Sequence, residues 1–149
     1  MKLEDLKIKK LDETATIPTY GTEYSAGADL YAALESDTEI KPGETIMIGT
    51  KLAFEIPVGY VGLIFARSSL GSKKGLAPAN KVGVIDADYR GEVKVPLFNH
   101  SNSTQTITKN ERIAQIIFMP YLKANFIETE SLEETIRGTG GFGSTNKNA

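Results

Sequence analysis

The stretch NKVGVIDADYRGEVKV, from Asn80 to Val95, sets Asp86, Asp88, Tyr89 and Arg90 between two apolar runs. The alternating runs read as strands and Asp-Ala-Asp as the tip between them, so the segment predicts a β-hairpin or a tight β-arch. A carboxylate held at such a tip can take a proton from water as a general base. A tyrosine beside it offers a flat wall to a sugar or a base. The plainer reading is that the aspartates only set the turn, as Asp does in many loops.

Four other stretches carry comparable chemistry. ARSSLGSKKG, from Ala66 to Gly75, follows the run YVGLIFA and predicts a strand entering a short helix. Backbone N–H groups at such an entry suit an anion, and Arg67, Ser68 and Ser69 add charge and donors. The alternative is an N-cap followed by a solvated Lys73–Lys74 pair. The glycine spacing is not that of a Walker loop. AGADLYAA places Asp29 among small and apolar residues, where an acid either pairs with an arginine or orients water around a cation. RIAQIIFMP reads as a core strand on which Arg112 and Gln115 stand out, and an amide so close to apolar residues needs a partner. The C-terminal IRGTGGFGSTNKNA is dominated by Gly, Ser, Thr and Asn and cannot build a core. It nonetheless holds Arg137 and Phe142, one suited to a phosphate and the other to a base. Either they are incidental on a frayed end or the tail is a flexible lid over a nucleotide.

The elements that must position these residues are short strands broken by Gly, Pro and Asn. Strands are expected at 7–11, 28–32, 38–40, 45–48, 51–55, 60–66, 82–85, 92–98, 105–107 and 112–121. Helix is expected only at 68–73 and 131–135. The pattern is all-β, a sandwich, jelly roll or barrel. Many strand edges in so small a unit favour oligomers.

Composition narrows the function classes. With 149 residues the chain is the size of one domain with its own core. A net charge of −2 argues against direct nucleic-acid binding while leaving room for a local cluster that takes a small polyphosphate. There is no cysteine and a single histidine, His100, so neither thiolate chemistry nor a zinc site is expected. No signal peptide or membrane span is visible, which gives a cytoplasmic expectation.

Taken in order, Asp29 in AGADLYAA, RSSLGSKKG, NKVGVIDADYRG, RIAQIIF and RGTGGFGST resemble the five-motif signature of the homotrimeric dUTP nucleotidohydrolases, over about Ala26 to Thr145. The resemblance implies a jelly-roll-like β-domain over residues 1–136 and a flexible C-terminal lid and tail over 137–149. It implies a homotrimer with shared active sites that splits dUTP into dUMP and diphosphate, limiting uracil in DNA and supplying dUMP for dTMP synthesis. Asp86 then binds the deoxyribose 3′-hydroxyl and activates water. Tyr89 lies beneath the sugar, and Asn80 with the backbone around Val84 reads the uracil. Arg67, Ser68, Ser69 and Gln115 contact the phosphates from a neighbouring subunit. Asp29 helps order the site around a hydrated metal, Mg2+ carried chiefly by the substrate phosphates. Arg137, Ser144 and Thr145 grip the γ-phosphate with Gly143 beside them, while Phe142 stacks on the base. The family's usual glycine is Ser69 here and its usual proline is Ala66. A dCTP deaminase and a non-catalytic binding module remain the competing readings.

Overall fold

Branched and aromatic residues alternate along short runs, and most runs find a hydrogen-bond partner far away in sequence. The computed structural model describes residues 5–142. Twelve strands follow in order: β1 Lys7–Lys10, β2 Thr19–Tyr20, β3 Ala28–Tyr31, β4 Thr38–Ile40, β5 Thr45–Gly49, β6 Leu52–Glu55, β7 Tyr60–Phe65, β8 Leu76–Pro78, β9 Gly83–Ile85, β10 Lys94–Asn99, β11 Gln105–Ile107 and β12 Arg112–Pro120. A single π-helical turn, Leu70–Lys74, lies between β7 and β8. The all-β expectation holds, and no sheet closes into a barrel.

Every pairing is antiparallel. The largest sheet has the order β2-β3-β12-β7-β9, a second has β5-β10-β8, and two pairs are β1-β6 and β4-β11. Leu30, Ile48, Leu52, Leu97, Ile113 and Ile116, drawn from strands of three different sheets, are at most 1% exposed and share one core. That common core welds the small sheets into one body. Buried Asn99 is fully satisfied: its amide donates to the Ile40 and Ser103 carbonyls, and its oxygen accepts from Ser101.

Of the two forms open for residues 80–95 the structure takes the arch, and one expectation, the second helix, needs correction. Strands β9 and β10 do not pair with one another; β9 adds to β7, whereas β10 lies between β5 and β8. The segment is therefore an arch between sheets and not a hairpin. Residues 131–135 form no helix. Leu132 is 86% exposed there, and so short a helix is unstable without a packed face. The chain leaves its last strand at Pro120 and carries no helix or strand from 121 to 142. Among the described residues no helix is long and apolar enough to cross a membrane.

Candidate active site

The arch tip is one tight turn. The Tyr89 N–H donates to the Asp86 carbonyl at 3.2 Å, which brings the two side chains to the ends of a single four-residue bend. Arg90 locks the bend by donating from Nη1 to the carbonyls of Ala87 at 2.6 Å and Tyr89 at 3.1 Å. The Tyr89 hydroxyl donates to the Glu92 carbonyl at 2.9 Å. Beside the tip lies a pocket of about 500 Å3 lined by Asn80, Val84, Asp86 and Tyr89, with Met47 and Pro96 as apolar wall. An amide, a carboxylate and an aromatic ring in one cleft suit a ligand with a flat polar head and a hydroxylated body. Among the described residues Asp86 joins no ion pair.

A second pocket, of about 370 Å3, is cationic. Asp29, Arg67, Ser68, Arg112 and Gln115 line it together with Gly27. Strict alternation would send Arg112 and Gln115, three apart on β12, to opposite faces of the sheet. A register shift between Arg112 and Ala114 inserts the extra residue that puts both on the same side. Asp29 on β3 pairs with Gln115 across the sheet, and its carboxylate takes both arginines: Arg67 Nε at 2.7 Å and Arg112 Nη1 at 3.2 Å. Of the two readings open for this acid, the arginine pairing is the one its oxygens make. The remaining guanidinium donors are left for an anion, with one net positive charge among the three groups. The Gln115 amide donates to the Ala66 carbonyl at 2.9 Å. It lies against Gly27, where any Cβ would collide with Gln115 Oε1.

Ser69 sits slightly apart. It opens the π-helical turn, lies 3.4 Å from Arg67 Nη1, and lines an adjoining pocket of about 290 Å3 with Lys73, Lys74 and Glu111. The turn is fastened to the start of β12. Lys74 Nζ donates to Glu111 Oε1 at 2.6 Å and to the Thr106 carbonyl at 2.8 Å, and Glu111 Oε2 accepts the Thr108 N–H. Burial pushes the Glu111 carboxyl up, but hydrogen bonds from Lys74 and Thr108 outweigh it and hold the group below its ordinary value.

The two pockets share no lining residue. Strand β7 explains why. Ile85, just before Asp86, pairs with Gly62 near the start of β7, whereas Arg67 follows its last residue, Phe65. Five residues of extended chain put the acid and the cation about 15–20 Å apart. The sequence-predicted residues thus fall into an Asp86 group and an Arg67 group at opposite ends of one strand.

The tail residues join neither group. Arg137 Nε donates to the Gly140 carbonyl at 2.8 Å within its own turn, and the Phe142 ring is fully exposed. Gly143, Ser144 and Thr145 lie outside the described residues. His100 is a surface residue at the end of β10 beside Phe98. The sequence reading missed Glu92 and Met47, which reach the first pocket from β10's lead-in and from β5. It also missed Gly27, whose only signal is its proximity to Asp29.

An all-β domain with a carboxylate–tyrosine cleft and a separate cationic cleft is built to handle a polyanionic ligand with a flat, polar head. A family model described as dUTPase matches residues 13–146, and the chain belongs to that family. It is 54% identical over 142 residues to the deoxyuridine 5′-triphosphate nucleotidohydrolase of Nautilia profundicola, spanning 95% of this chain and 99% of that one. The protein of the same name from Rickettsia bellii is 46% identical over 146 residues, 97% of both chains. In three dimensions the chain matches a Staphylococcus bacteriophage 80alpha dUTPase, the G164S mutant with dUpNHpp. The TM-score is 0.88 and the identity 28%, over 96% of this chain and 99% of that one.

Proposed function

We propose that this protein hydrolyses dUTP to dUMP and diphosphate, lowering the dUTP available to DNA synthesis and supplying dUMP for dTMP synthesis. The observation that carries the reading is the carboxylate of Asp86, which joins no ion pair among the described residues, facing the same cleft as Tyr89 and Asn80. In this reading Asn80 and the backbone near Val84 hold the uracil, and Tyr89 lies under the deoxyribose. Asp86 holds the 3′-hydroxyl and the attacking water, and takes its proton as the new bond forms at the α-phosphorus. The α–β bridging oxygen leaves with diphosphate. Arg67, Ser68, Ser69 and Gln115 receive the phosphates and offset their charge.

The separation along β7 supports a reading in which Asp86 and Arg67 of one chain serve different sites. We read the protein as a homotrimer in which each site joins the Asp86 pocket of one copy to the Arg67 pocket of another. The segment after β12 supports assembly: Leu122, Phe126, Ile127 and Leu132 are at least 80% exposed, more apolar surface than a lone chain leaves to water without a partner. In this reading residues 137–149 act as a lid that brings Arg137, Gly143, Ser144 and Thr145 to the γ-phosphate and Phe142 onto the base.

The donor set suits a metal carried by the substrate. Among the described residues no three His, Cys, Asp or Glu side chains gather around a common point, and both Asp29 oxygens are engaged by arginine. Mg2+, which keeps several waters and favours phosphate oxygens, fits such a site when bound to the triphosphate, where it would offset charge. Asp29 would act on it only by holding the cations around the phosphates. A cytoplasmic location accords with this soluble substrate.

Incubation with dUTP, dCTP, dTTP and UTP and identification of the products tests the reading. Diphosphate and dUMP from dUTP alone are expected. Ammonia release from dCTP would instead establish a deaminase, and binding without turnover a non-catalytic module.

A further inference from the structure

Tyr89 is exposed, at 43%, so packing alone does not hold its ring. Its hydroxyl is tied to the Glu92 carbonyl at 2.9 Å, and the fold fixes that carbonyl from several sides. Glu92 Oε1 accepts the Lys51 N–H at 3.0 Å, and the carboxylate lies so close over Gly49 that any Cβ there would strike it. The next residue, Val93, is wholly buried and donates its N–H to the Leu52 carbonyl at 2.8 Å. Its own carbonyl accepts both the N–H of Thr50 at 3.1 Å and the Thr50 hydroxyl at 2.6 Å. The tyrosine is thus moored to an anchor joined to residues 49–52.

Between ring and anchor stands Gly91. Its backbone is not in the left-handed region, so its conformation does not demand glycine. Space does. A Cβ on Gly91 would sit 2.5 Å from Tyr89 Oη, 2.6 Å from Cζ and 2.9 Å from Cε2. All three atoms belong to the Tyr89 side chain. Because Glu92 and Val93 cannot retreat, the ring must swing away and leave its hydrogen bond.

We propose that Gly91 and the Tyr89–Glu92 hydrogen bond are the positioning elements that set how strongly the cleft rejects a ribonucleotide in favour of a deoxyribonucleotide. This rests on the reading of Tyr89 as the wall beneath the sugar. A 2′-hydroxyl is excluded only if the ring stays at its mooring. A wall free to tilt opens the few tenths of an ångström to one ångström that an extra hydroxyl needs. Uracil is read by other groups, so discrimination against a 5-methyl base should not change with the ring.

The test is kcat/KM for dUTP, UTP and dTTP on the full chain and on Tyr89→Phe, Gly91→Ala and Tyr89→Ala, with Tm and oligomeric state as controls. Tyr89→Phe keeps the ring and removes only the mooring, and should relax dUTP-over-UTP preference by about 2–10-fold. Gly91→Ala displaces the ring and should relax it further, on the order of 10–100-fold, as an ångström-scale misplacement does. In both, dUTP-over-dTTP preference should stay within about 2-fold, since uracil contacts are untouched. If Tyr89→Ala loses UTP rejection while the other two variants keep it, the mooring is overturned and the wall survives. If Tyr89→Ala also keeps it, the wall reading falls and takes the mooring with it. Should Gly91→Ala not fold, Tyr89→Phe, which adds no atom, decides by itself.

Discussion

Arg67 Nε meets the Asp29 carboxylate at 2.7 Å, and the acid is only 12% exposed at its side chain. A buried carboxylate between two guanidiniums fixes where both can point. Asp29→Asn keeps the shape but loses the charge that aims Arg67. Losing hydrogen bonds to a charged group of this kind should lower kcat/KM for dUTP by about 10–100-fold. Arg112→Ala should do less, because its contact is longer, at 3.2 Å, and its side chain is 51% exposed. Steady-state kinetics on the two variants checks the order. Equal activity of Asp29→Asn and the unmodified protein would reduce this acid to a space filler.

Asp86→Asn should lower kcat by about 10²–10⁴-fold, the usual loss with a general base. Binding of a non-hydrolysable dUTP analogue and the oligomeric state should be retained, since the carboxylate joins no ion pair among the described residues. Calorimetric titration beside the rate measurement separates the two effects. Near-normal turnover would leave Asp86 as a turn former.

Much of this was legible in the sequence because the strands are bounded by local turn chemistry. Strands β2 and β8 were not. They are two and three residues long, and β8 ends in proline; what makes them strands is the pairing with β3 and β10, which the composition of so short a run does not announce. The arch was ambiguous for the same reason, since a hairpin and an arch share a turn and differ only in where each strand finds its partner. In the site, Asp86 and Tyr89 were readable because one bend joins them. The meeting of Arg112 with Asp29 depends on a bulge in β12, and period-two reasoning sends Arg112 to the wrong face. Arg137 and Phe142 have the expected chemistry, yet in the single chain they touch neither pocket.

Truncation after Ile136 should leave a folded, assembled protein, because the segment removed carries only one large apolar side chain, Phe142, and that ring is fully exposed. Activity should fall steeply, since closure supplies charge and excludes water. Phe142→Ala should be milder than truncation. The chain has no tryptophan, so Phe142→Trp gives a clean fluorescence signal that should change when a non-hydrolysable dUTP analogue is added. Full activity in the truncated protein would remove the lid from the mechanism.

The Lys74–Glu111 pair predicts an acid sensitivity. Burial raises the Glu111 carboxyl, but Lys74 and Thr108 hold its folded pKa below the ordinary 4.5. A group depressed on folding stabilises the protein above its unfolded value and loses that contribution as pH falls through the folded one. Glu111→Gln should therefore lower Tm near neutral pH and flatten the decline below about pH 4.5. Melting curves across that range check it. Parallel curves for both proteins would show that the pair does not drive the acid limb.

The most direct test mixes two inactive chains. Asp86→Asn lacks the base but keeps the cationic pocket, and Arg67→Ala lacks the cation but keeps the base. Each should be nearly inactive as a homo-oligomer. If every site takes Asp86 from one copy and Arg67 from another, co-assembly at equal amounts leaves a quarter of sites with both groups intact, and about 25% of full activity should return. Mixed assemblies of confirmed composition that remain as inactive as their parents would show that one chain supplies both groups, and would contradict the shared site.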